Sequence, residues 1–66
     1  MMAYAQVTGM ATYKGHKIER VESPMQAVYV VDDDRKRGYW SMADAKRFIN
    51  GKTLIYEPAD VNSWFE

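Results

Sequence analysis

Apolar and polar positions change period along this chain, and the changes mark its elements. Tyr13–Glu22 reads as the first secure strand, opened by a glycine bend in Lys14-Gly15-His16-Lys17. Its inward candidates, Ile18 and Val21, stand three apart, so they share a side only if the strand carries a bulge; the alternative is a short helix. Ser23-Pro24-Met25-Gln26 is a turn, because Pro24 has a fixed φ and no N–H to donate. Ala27–Val31 is apolar at every position, which predicts a strand covered on both faces. Asp32–Gly38 has no large apolar residue and should project into water. Tyr39-Trp40 begins either a third short strand or the approach to a helix.

The helix has the clearest signal. Ser41 followed by Asp44 is the S-x-x-[DE] start. Met42, Ala45, Phe48 and Ile49 fall on one face, and Asp44, Lys46, Arg47 and Asn50 on the other. Asn50-Gly51 supplies the stop. Lys52–Tyr56 alternates like a strand and ends at Glu57-Pro58. Asp60, Val61, Trp64 and Phe65 form a helical turn or a tail that packs back. The order β-β-(β)-α-β predicts an α+β fold: a small antiparallel sheet of three to four strands with one amphipathic helix on one face. Residues 1–12 are either a flexible N-terminal extension or a weak strand, and 13–66 form a single α+β domain.

Size and composition narrow the class. The chain has 66 residues, 47% of them apolar and 14% aromatic, with nine basic and nine acidic residues and no cysteine. So apolar a composition argues against disorder, and the missing cysteines exclude a disulfide scaffold and a Cys-based zinc module. No apolar run reaches the ~18 residues of a membrane span, and Met1–Gly9 lacks the charged lead of a signal peptide. A cytoplasmic globular domain with no membrane partner is the expectation. At this size a domain buries only ~60% of its unfolded surface, so large side chains or association must compensate.

Candidate chemistry is sparse. His16 is the one histidine and lies in a polar segment beside no recognisable nucleophile, so no enzyme activity is expected. Asp32, Asp33 and Asp34 suggest a metal, but consecutive acids do not converge on one ion, and Arg35, Lys36 and Arg37 follow at once. A solvated loop is the plainer reading. The glycines are dispersed, and no cofactor is implied. Arg35, Lys36 and Arg37 with Tyr39 and Trp40 place cations beside stacking aromatics, a nucleic-acid chemistry that Lys46, Arg47 and Lys52 could extend. Zero net charge and the adjoining acids weigh against it.

The aromatic surplus carries more information. One helix covers one face of the sheet, through Met42, Phe48 and Ile49 against Ile18 and part of Ala27–Val31. Either Val28 and Val30 or Tyr29 and Val31 then face the other way and need cover. The tail with Val61, Trp64 and Phe65 can supply it, as can a second copy or a different protein.

The run Tyr13-Lys14-Gly15-His16-Lys17-Ile18, then Tyr29-Val30-Val31, then Ser41-Met42-Ala43-Asp44-Ala45-Lys46-Arg47-Phe48-Ile49-Asn50-Gly51 resembles small uncharacterised phage and prophage proteins of strand–hairpin–capped-helix layout. The resemblance covers about two-thirds of the chain. It implies a protein that binds and inhibits a host protein, for example a defence nuclease complex in the manner of an anti-CRISPR protein, and hence the bacterial cytoplasm. It implies no site residues. The leading expectation is thus a non-enzymatic protein-binding module. Its candidate contact residues are Asp32, Asp33, Asp34, Arg35, Lys36, Arg37, Tyr39 and Trp40, with Lys46, Arg47 and Asn50 on the helix. The alternatives are a nucleic-acid accessory protein using Arg35–Arg37 with Lys46 and Arg47, and a structural or regulatory homodimer with packed sheet faces.

Overall fold

A computed structural model describes residues 5–65, with the backbone alone at Phe65. The first structural decision is a tight hairpin. Lys14 and Gly15 both take positive φ, 51° and 80°, as the two central residues of a type I′ turn do. They join β1 (Gln6–Tyr13) to β2 (His16–Glu22), with Tyr13 opposite His16. Of the two readings of residues 1–12, the strand is the one realised from Gln6 onward; Met1–Tyr4 lie outside the described residues. The bend was placed inside one strand by sequence, whereas it is the turn between two. The register slips between Val7 and Gly9, so the bulge lies in β1 and not in β2.

The Ser23–Gln26 turn leads to β3 (Ala27–Val31), antiparallel to β2, in the order β1-β2-β3. Ser23 closes that turn by donating its N–H to the Gln26 carbonyl at 2.8 Å. With β2 regular, its alternation separates Ile18 from Val21 onto opposite faces, so the expected common side is corrected. Beyond β3 the chain returns through β4 (Arg37–Gly38), and Tyr29 and Tyr39 exchange both backbone hydrogen bonds at 2.7 Å. Tyr39-Trp40 is therefore at once the third pairing and the approach to the helix.

α1 (Met42–Ile49) begins as its sequence dictates: the Ser41 hydroxyl accepts the Asp44 N–H at 3.1 Å. It ends in a Schellman arrangement, with the Gly51 N–H on the Phe48 carbonyl and the Lys52 N–H on the Arg47 carbonyl. Gly51 has φ +69°, which a glycine adopts without strain. Ser41→Ala is expected to destabilise the domain by ~1 kcal/mol, read in denaturant melts, with helical content otherwise intact.

Lys52–Tyr56 is not a strand. The β3 edge is already occupied by Tyr39, and the other edge strand, β1, lies across the sheet. The segment instead runs irregularly over the helix, with Leu54 packed against the core. The last pairing comes later, where β5 (Ala59–Asp60) lies antiparallel to β4, followed by a 3-10 turn, Asn62–Phe65.

These connections give two cores, one on each side of the sheet. Ile18, Val31, Tyr39 and Ala45 are buried on the helix side, with Tyr29, Met42 and Ile49 against them. Val21, Val28, Val30 and Val61 are buried on the other, with Trp64 against them. Val28 and Val30 are thus the residues turned from the helix, and the tail covers them. No helix among the described residues is long and apolar enough to cross a membrane.

Candidate protein-binding surface

Asp44 organises the exposed side of the helix layer. Its position three residues after Ser41 puts it in the first helical turn, where its N–H is capped and its carboxylate is free to reach elsewhere. The amphipathic pattern assigns it to the polar face, yet its side chain is fully buried. The 52–58 segment folds over it, and the carboxylate accepts the backbone N–H of Ile55 at 3.1 Å and of Tyr56 at 2.9 Å. Arg47, one turn on, donates to the same carboxylate at 2.7 Å. Burial by itself would raise the carboxyl pKa; the two N–H groups and the guanidinium more than offset that and hold it below the ordinary carboxylate value. A side chain thereby does for Ile55 and Tyr56 what a neighbouring strand would have done.

The consequence is a fixed display of large side chains. With their backbones held by Asp44, Ile55 and Tyr56 are 63% and 60% exposed. Trp40, 39% exposed, donates its indole N–H to the Glu57 carbonyl at 3.0 Å and so brackets the same segment from the other end. Phe48, one turn after Asp44, stacks on buried Tyr39 with ring centroids 5.1 Å apart and leaves its outer part in water. Aromatic and apolar side chains held in place lose little entropy on binding, which is the physical requirement for an interface anchor.

The residues expected from sequence to make contacts separate into different places. Tyr39 is withdrawn from them: it is 3% exposed, its ring fills the helix-side core, and burial raises its phenol pKa. Trp40 remains. The acids of the loop are internal braces. Asp32 accepts from the Lys17 N–H at 3.0 Å and pairs with His16 Nδ1 at 2.6 Å, while Asp33 pairs with Lys17 Nζ at 2.7 Å. His16 and Lys17 hold both carboxyl groups below their ordinary values. Asp34 accepts the Lys36 N–H at 3.2 Å.

The basic residues expected to make contacts have different neighbours. Arg35, Lys36 and Arg37 are all exposed, and Lys36 and Arg37 line a cleft with Pro58, Asp60 and Asn62. Arg47 is committed to Asp44. Lys46 and Asn50 belong to the β1–β2 hairpin end, where Asn50 donates to the Tyr13 hydroxyl at 3.0 Å and Lys46 lies 5.1 Å from the Tyr13 ring centre. The Asn50 amide, then the cations of Lys14 and Lys46, draw the Tyr13 phenol pKa down. Ile55 and Tyr56 escaped the sequence reading because their alternation imitates a strand. Nothing in the pattern marks Asp44 as buried. Comparison with known protein families, with characterised proteins and with solved structures finds no match to this chain.

Proposed function

We propose that this chain is a protein-binding module that works through the surface around Trp40, Ile55 and Tyr56. The observation that carries the reading is the exposure of Ile55 and Tyr56 on a segment whose backbone is pinned by a buried carboxylate. A segment of this kind is pre-organised, so little ordering cost offsets the gain from burying its side chains. The tail already covers the second sheet face, and that face no longer requires a partner. The pinned segment replaces it as the reason to expect one. The resemblance to small phage proteins gives the finer form of the proposal: occupation, and hence inhibition, of a surface on a host protein such as a defence nuclease complex.

Affinity capture from a bacterial lysate, followed by titration of the purified partner, tests this. Tyr56→Ala is expected to weaken binding about 30-fold, the effect of losing an interface anchor of ~2 kcal/mol. The circular dichroism spectrum should not change, because the Tyr56 side chain is mostly in water. A partner whose affinity ignores Tyr56→Ala and Ile55→Ala removes the proposal.

A further inference from the structure

The hairpin end of the sheet has a different chemistry from the Trp40–Tyr56 surface and goes beyond the proposed function. The type I′ turn fixes Tyr13 and Lys14 at the tip of the β1–β2 hairpin. Lys46 and Asn50, four residues apart, lie side by side at the end of α1. Hydrogen bonds join the two pairs. The Asn50 amide donates to the Tyr13 hydroxyl at 3.0 Å, and Lys14 donates to the Asn50 side-chain oxygen. Lys46 Nζ stands 5.1 Å and Lys14 Nζ 5.5 Å from the centre of the Tyr13 ring.

Donors and positive charge are in surplus at this point. The Tyr13 oxygen accepts from Asn50, and among the described residues no acceptor takes the hydroxyl's own proton. Lys46 makes no hydrogen bond or ion pair among those residues, and Lys14 has N–H groups to spare. The ion pairs of the described residues use His16, Lys17, Arg20 and Arg47, so neither Lys14 nor Lys46 has a carboxylate beside it. The Asn50 hydrogen bond, and then the two lysines, draw the Tyr13 phenol pKa down against the opposing effect of burial. Bare carbonyls at the helix end would repel an anion. Those of Lys46, Arg47 and Phe48 are taken by the N–H groups of Asn50, Lys52 and Gly51.

We infer that this end of the molecule binds a phosphate dianion, free or as the terminal phosphate of a small molecule, seated on the Tyr13 hydroxyl between Lys14 and Lys46. Charge and donor count select that ligand. A terminal phosphate carries a charge of about −1.5 to −2 at neutral pH and three acceptor oxygens. It neutralises both lysines and supplies an oxygen each to the phenol and the two ammonium groups. A carboxylate has one charge and two oxygens, so it leaves one lysine uncompensated. The phenol oxygen stands at the edge of the ring that both lysines approach, so an anion held there lies within reach of both flexible side chains.

NMR titration of the full chain at low ionic strength tests this, with inorganic phosphate as the probe. Saturation is expected at a dissociation constant of about 1–10 mM, with the largest shifts at Tyr13, Lys14, Lys46 and Asn50. Sulfate should compete, and acetate should bind about fivefold more weakly or worse. Lys14→Gln and Lys46→Gln should each raise the phosphate dissociation constant about fivefold. Both side chains are exposed, so both variants should keep the fold. Tyr13→Phe keeps the packed ring and should weaken binding by a similar factor. Phosphate should also raise the Tyr13 phenol pKa, because the anion holds the phenol proton and repels the phenolate. A nucleoside monophosphate that matches inorganic phosphate places recognition on the phosphate alone, and one that binds more tightly makes a phosphorylated small molecule the ligand. All three variants should keep any affinity that depends on Tyr56, which separates this site from the proposed function. Shifts that fail to saturate overturn the inference. So does a dissociation constant indifferent to the lysine variants and to Tyr13→Phe, or acetate binding as tightly as phosphate.

Discussion

Asp44→Ala is expected to lower the melting temperature by about 10 °C or more, the largest effect of any polar substitution in this domain. The loss is not of one contact. Removing the carboxylate leaves the Ile55 and Tyr56 N–H groups without their acceptor and the Arg47 guanidinium without its partner. Asp44→Asn discriminates between shape and charge. Its volume is nearly conserved, but one acceptor oxygen becomes an NH2 that must face an N–H or a guanidinium. It should therefore cost almost as much as alanine. A result within experimental error of wild type for Asp44→Asn would show that the segment is held by packing of Leu54 and not by the carboxylate.

The same residue predicts a pH dependence. The folded pKa of Asp44 lies below its ordinary value of 3.8. A group depressed on folding adds stability above its unfolded pKa, and that stability is lost as the pH falls through the folded value. Asp32 and Asp33, drawn down by His16 and Lys17, act in the same direction. Thermal melts should thus fall steeply below about pH 4. Asp44→Asn should flatten part of that fall, leaving the share due to the loop acids. Because loss of Asp44 frees the displayed segment, the variant should also weaken any partner that depends on Tyr56, although neither residue 44 nor its carboxylate reaches the surface.

Gly38→Ala is the second large effect, expected to cost ~2–3 kcal/mol in denaturant unfolding. Gly38 is buried where β4 crosses the tail-side core. A Cβ there would stand 2.5 Å from Val28 Cγ2, 2.7 Å from Val28 Cβ and 3.0 Å from Val61 Cγ1. The nearest atom could move by a rotamer change, but Val28 Cβ moves only with the β3 backbone. The close approach demands glycine here; φ does not, since Gly38 is not among the glycines at positive φ. Val28→Ala in the same chain removes the Cγ2 clash and leaves the Cβ one. The double variant should therefore be less destabilised than the sum of the singles. Strict additivity would mean that the two residues do not press on each other.

The turn at Ser23–Gln26, the helix start at Ser41 and its stop at Asn50-Gly51 are local events. Each rests on backbone groups within a few residues, so the residue types alone predict them. Lys52–Tyr56 has an equally regular pattern and is not a strand, because pairing needs a free edge beside it. That condition belongs to Tyr29, Tyr39 and β4, residues well away along the chain. Asp44 is the same lesson in reverse. By helical spacing it sits among polar residues, and only the segment folded across it makes that position an interior.

The uncharged start, the charged loop, the capped helix and the apolar third strand are properties of the sequence by itself, since each depends on neighbours in the chain. Tertiary structure decided which of those features are available to a partner. It buried Tyr39 and gave Arg47 to Asp44, and it tied Asp32 and Asp33 to His16 and Lys17. In their place it exposed Ile55 and Tyr56. The physical reason is that burial and pairing are properties of surfaces brought together, and the chain pattern specifies only what each surface would need.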